Sequence, residues 1–126
     1  MKIKRIESNI KIVPLNKFLI EKYKSPNNLL RHTRFIPNKT KGVMIIDKVT
    51  NNLVGYIAWE LDFIIALEVI KEYRGNGWSK VLLDIAINNG ATKLSVRKDN
   101  KVAINLYEGM GFNTYIDSGK MLFMKL

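Results

Sequence analysis

The segment that most constrains this chain is 69–88, where an apolar strand end runs into Arg74-Gly75-Asn76-Gly77-Trp78-Ser79-Lys80 and on into an amphipathic helix. Val81, Leu82, Ile85 and Ala86 lie on one face of that helix. A strand that passes through a glycine-rich turn into a helix leaves backbone N–H groups without acceptors. Those groups and the helix dipole favour an anion, and glycines let it approach with no Cβ in the way. Arg74 and Lys80 add positive charge beside it. Two readings stay open from these residues alone: an anion site, or a surface turn whose glycines merely permit positive φ. The glycine spacing is wrong for a dinucleotide-binding fingerprint, and the Gly-Lys-Ser/Thr of a Walker loop is missing.

The rest of the 126 residues fits one domain, 1–126, built around a single core. Strand-like runs predict strands at 2–7, 42–49, 53–59, 62–70, 92–97, 112–116 and 120–126. Helical spacing predicts helices at 14–24, 78–88 and 101–109, with Pro14 in the first turn of the first. Residues 29–41, basic and polar, receive no assignment. The central strand-helix-strand-helix-strand order predicts an α/β fold with a mixed sheet, antiparallel towards its edges.

Composition removes several chemistries. With no cysteine and one histidine, disulfides, thiolate metal sites, a cysteine nucleophile and a histidine metal cluster all drop out, and no metal is expected. No apolar run is long enough to cross a bilayer and the first residues lack a signal-peptide core, so no membrane association and a cytoplasmic location are expected. The 21 Lys+Arg against 11 Asp+Glu, a formal +10, draw anions. Nucleic acid, a polyphosphate cofactor or an acidic substrate all fit that balance, and a polycationic acceptor fits it less well.

A second segment decides between these. Leu94-Ser95-Val96-Arg97-Lys98-Asp99-Asn100 brings a polar turn after a strand, and the helix that follows sets Ala103 and Tyr107 four residues apart on one face. Here the chain resembles the GNAT superfamily of N-acetyltransferases, whose signatures read V-x-x-x-x-R/Q-G-x-G-x-G/A and N-x-x-A-x-x-L-Y-E-x-x-G-F. Val69, Arg74, Gly75 and Gly77 match the first, with Ser79 in place of the closing Gly or Ala. Asn100, Ala103, Leu106, Tyr107, Glu108, Gly111 and Phe112 match the second. The matched stretch covers residues 53–112, in the family's order and separation.

The resemblance implies a mostly antiparallel sheet splayed between its fourth and fifth strands, with helices on both faces, and acetyl-CoA as co-substrate. On this chain it places the pyrophosphate at Arg74, Gly75, Asn76, Gly77, Ser79 and Lys80. The pantetheine would pair with the strand end at Leu67, Val69 and Ile70, with Asn100 and Ala103 also in the cofactor site. It implies Tyr107 as the acid near the CoA sulfur. A general base is harder to find, because Phe63, Ile64, Ile65 and Ala66 fill the middle of the strand where relatives often carry glutamate. Glu60, Asp62 and Glu68 are the nearby carboxylates, with Glu60 and Glu68 the leading candidates, against ordinary solvated or hairpin-end charges or a chain of waters. His32 has two readings, a residue near the acceptor site or, more commonly for a lone histidine, an ordinary surface one.

The function expected is therefore acetyl transfer from acetyl-CoA to a primary amine of a small molecule or protein, by direct attack and without a covalent enzyme intermediate. A module that binds an acyl-CoA without catalysis, and a small basic nucleic-acid-binding domain, are the rivals. Nucleic acid fits less well, since the basic residues are spread along the chain with no aromatic-basic signature. The acceptor is not legible, and a homodimer is left open.

Overall fold

The computed structural model describes residues 9–126, so the strand predicted at 2–7 lies outside the described residues. The first described strand, β1 (Ile10–Pro14), ends on the proline predicted to open a helix. Pro14 sits on an edge strand, where a missing N–H removes little from the ladder. Helix α1 (Lys17–Tyr23) starts later, because Asn16 caps it: the Asn16 side-chain oxygen accepts the Leu19 N–H at 2.9 Å. A 3-10 turn at Leu29–His32 follows, capped the same way by Asn28.

Three antiparallel strands come next, β2 (Thr40–Asp47), β3 (Leu53–Glu60) and β4 (Phe63–Val69). Every residue of β3 but Glu60 is buried, as expected of a strand covered on both faces. A second 3-10 turn, Lys71–Tyr73, leads to α2 (Trp78–Asn88), which turns Trp78, Leu82, Leu83 and Ala86 inwards. Then β5 (Lys93–Arg97), α3 (Lys101–Gly109), β6 (Asn113–Asp117) and β7 (Met121–Lys125) complete the chain.

The seven strands form one sheet in the order β1-β2-β3-β4-β5-β7-β6. Neighbours are antiparallel except β4 and β5, which run parallel. Alternation along the strands sends apolar side chains to two cores. Ile45, Ile57 and Trp59 join Leu82, Ala86 and Ile104 beneath α2 and α3. Met44, Ile46, Tyr56 and Ala58 join Ile20 and Leu30 beneath α1 and the first 3-10 turn. The helices therefore cover both faces, as the resemblance implied.

Candidate active site

The two parallel strands meet at their starts and then part. Phe63 of β4 pairs with Lys93 of β5, and the Asp62 carbonyl accepts the N–H groups of both Thr92 (2.8 Å) and Lys93 (3.0 Å). An ion pair between Lys93 and Asp62 at 3.2 Å closes the same corner. No register pair joins the strands beyond it among the described residues. Within β4 the pairing with β3 also slips: Ala58 faces Ala66 but Trp59 faces Ile64, which leaves Ile65 as an unpaired bulge.

The direction of the backbone groups along β4 follows from one bond. Ile70 donates its N–H to the Val54 carbonyl of β3 at 2.8 Å, and its own carbonyl accepts the Tyr73 N–H. Alternation then turns the backbone groups of Val69 and Leu67 away from β3, towards the gap. Ile70, also expected in the cofactor site, has both its N–H and its carbonyl paired within the protein. By that alternation the Val69 N–H points into the gap, while its carbonyl accepts Arg74 Nε at 2.9 Å. Arg74 thereby braces the strand end while its exposed guanidinium keeps its charge beside the turn.

Past Arg74 the turn carries φ of 81° at Gly75 and 85° at Gly77, the left-handed region that an L side chain resists. Gly77 caps α2 with no side-chain bond. Among the described residues the N–H groups of residues 75–80, including those of Asn76, Ser79 and Lys80, have no acceptor. A Cβ placed on Gly75 would meet nothing within 4 Å, so the space in front of these donors is open. This is a cradle that fits a pyrophosphate.

The gap itself is a cavity of about 710 Å³ that passes through the sheet. On the face under α2 and α3 it is lined by Leu67, Leu94, Val96 and Tyr107, with Asn100 at the start of α3. Asn100 Oδ1 accepts the Ala103 N–H at 3.2 Å as the helix cap, and Ala103 packs, half-buried, against the core. The Tyr107 ring meets Phe112 edge-on, centroids 6.1 Å apart. Its hydroxyl has no partner among the described residues, and burial pushes its pKa up, so it stays protonated as a donor.

On the opposite face the cavity is lined by Tyr56 and Glu60 of β3, Ser95 and Arg97 of β5, and a wall formed by Leu29, His32, Thr33 and Arg34. Glu60 is anchored: one carboxylate oxygen accepts the Thr40 hydroxyl at 2.7 Å and the other lies 3.7 Å from Lys39 Nζ. Glu68, the second candidate base, is absent from the lining. Its carboxylate accepts the Leu29 N–H at 2.8 Å, and so holds the wall to β4. His32 is exposed and lines the cavity, so both sequence readings of it find a part. Leu29, Thr33, Arg34 and Tyr56 were not singled out from the sequence, where the only signals were a basic run and a tyrosine within an apolar strand.

A protein-family model described as the acetyltransferase (GNAT) family matches residues 13–112, which takes in the cradle, the gap and Tyr107. The chain belongs to the GNAT acetyltransferase family. No curated protein matches it. Solved structures with the same fold include the ribosomal-protein-S18-alanine N-acetyltransferase from Escherichia coli, 18% identical, TM-score 0.68, covering 93% of this chain and 92% of that one. Arabidopsis thaliana NAA60 in complex with acetyl-CoA is 17% identical with TM-score 0.67, covering 92% and 95%. Mutant forms of the spermidine/spermine N-acetyltransferase SpeG from Vibrio cholerae are 17% identical with TM-score 0.64, covering 94% of each chain. These neighbours share the fold, and the two whose names specify an acceptor name unlike ones, a ribosomal-protein alanine and a polyamine. No helix of the described residues is long and apolar enough to cross a membrane.

Proposed function

We propose that this GNAT protein transfers an acetyl group from acetyl-CoA to a primary amine within the gap between β4 and β5. The observation that carries the reading is a slot through the sheet with the cradle of residues 75–80 beyond its strand end and the Tyr107 hydroxyl inside it. Acetyl-CoA supplies an activated acetyl group: the amine nitrogen bonds to the thioester carbon, the carbon–sulfur bond breaks, the sulfur leaves with a proton and the amine gives one up.

Each demand of that chemistry has a candidate in this chain. The unpaired N–H groups of Gly75, Asn76, Gly77, Ser79 and Lys80 hold the pyrophosphate, and the backbone groups of Leu67 and Val69 align the pantetheine as an added strand. Bulged Ile65 leaves main-chain donors where negative charge develops on the carbonyl oxygen, which suits an oxyanion site. Tyr107 donates its proton towards the sulfur. Glu60, on the acceptor face and exposed by only 16%, takes the proton from the amine directly or through water. Glu68 supports that face from behind. Acetyl-CoA is an intracellular metabolite, which supports a cytoplasmic site of action.

The test is direct. Acetyl-CoA should raise the unfolding temperature of the purified chain, and an amine panel should release free CoA thiol. Binding without turnover on any amine would make it an acyl-CoA-binding module instead.

A further inference from the structure

We infer that the acceptor amine carries its own carboxylate close to the reacting nitrogen, and that Arg34 receives it; this rests on the reading of the slot as an acetyl-transfer site. The argument begins with an imbalance of charge. Three formally charged side chains line the cavity: Arg34, Glu60 and Arg97. Glu60 is matched by the Thr40 hydroxyl and Lys39. Arg97 is matched by Asp99, with bonds of 3.2 Å from Nε and 3.0 Å from an Nη. Arg34 has no hydrogen bond or ion pair among the described residues. Its side chain is exposed on the cavity lining, so its five donors are open to a ligand that enters there.

The position of Arg34 is built rather than accidental. The wall that bears it is fastened at two points, by the Leu29 N–H to Glu68 at 2.8 Å and by the hydroxyls of Thr33 and Tyr56 at 2.9 Å. Thr33 directly precedes Arg34, and Tyr56 is fully buried in β3. A guanidinium held on such a wall offers a planar fork that matches a carboxylate with two parallel bonds. Across the cavity, Glu60 and the gap mark where the amine must lie. An amine with a carboxylate a few bonds away spans that arrangement. A polyamine meets the opposite: one carboxylate, already matched, and uncancelled positive charge at the rim.

The experiment measures CoA thiol release with acetyl-CoA and three sets of acceptors: free L-amino acids, the same amino acids as C-terminal amides, and spermidine. The expected result is a kcat/KM at least about tenfold higher for free acids than for their amides, with spermidine lowest. Arg34→Ala should erase that preference by raising KM for the acids alone, Arg34→Lys should keep part of it, and acetyl-CoA affinity measured by titration should not change. Amides or spermidine used as well as the free acids would overturn the inference. So would an Arg34→Ala loss shared equally by acids and amides, or intact acetyl-CoA binding with no member of the panel acetylated. If acetyl-CoA itself fails to bind, the transfer reading falls first and takes this inference with it.

Discussion

The hydroxyls of Thr33 and Tyr56 meet at 2.9 Å across 23 positions of sequence, and that bond fastens the acceptor wall to the centre of the sheet. Burial pushes the Tyr56 hydroxyl up to about 12, against a lowering by the Thr33 bond, so it remains neutral at any working pH. Tyr56→Phe is expected to cost about 1 kcal/mol of stability and to raise the acceptor KM severalfold. Acetyl-CoA affinity should hold. Thermal unfolding and steady-state kinetics check this, and a matching change in acetyl-CoA affinity would mean the wall is not confined to the acceptor side.

Tyr107 should matter to turnover and not to binding. Tyr107→Phe removes the proton donor and is expected to lower kcat roughly 10²-fold with acetyl-CoA affinity kept. The pH profile carries the sharper test. A donor works while protonated, so activity is lost as pH rises through its pKa, and burial moves that point above the ordinary tyrosine value of about 10. The wild type should therefore keep its activity to pH 10, and the variant should show no tyrosine-dependent fall beyond it.

Gly75 separates folding from ligand recognition. At φ 81° an alanine costs about 1 kcal/mol through backbone strain alone, since its Cβ would meet no neighbour. That same Cβ would stand in the open space before the N–H cradle. Gly75→Ala should lower acetyl-CoA affinity far more than that strain explains, by tenfold or more. Isothermal titration beside thermal unfolding distinguishes the two effects.

Leu61, in the turn between β3 and β4, holds φ 54° with its side chain 87% exposed. A leucine loses little packing there and bears the left-handed strain, whereas asparagine tolerates that conformation. Leu61→Asn should stabilise the chain by roughly 0.5–1 kcal/mol. A fall in the unfolding temperature would show that the turn gains something from leucine that exposure conceals.

What could be read from sequence was what short-range rules determine. Helices α2 and α3 begin and end where predicted, because Gly77, Asn100 and the Asn89-Gly90 pair are local caps. The splay came with the family resemblance that the two signatures carry, not from any local rule. Residues 29–41 resisted because their shape depends on distant partners: Glu68 for Leu29, Tyr56 for Thr33, Glu60 for Thr40. Nothing in the local pattern announces such bonds. The roles of Glu60 and Glu68 were inseparable for the same reason, as both are carboxylates near the ends of neighbouring strands and only packing sends one into the cavity. Pro14 misled because Asn16, two residues on, is the better helix start.

Because the opening between β4 and β5 goes through the sheet, the two reactants do not share a doorway. On the proposed reading, the nucleotide carrier approaches past α2 while the amine arrives beneath the Leu29–His32 turn, so neither must depart before the other enters. Enzymes arranged in this way hold both partners at once, and their initial-rate lines converge as the second reactant is varied instead of staying parallel. A sheet that failed to close has given the protein a passage with two ends.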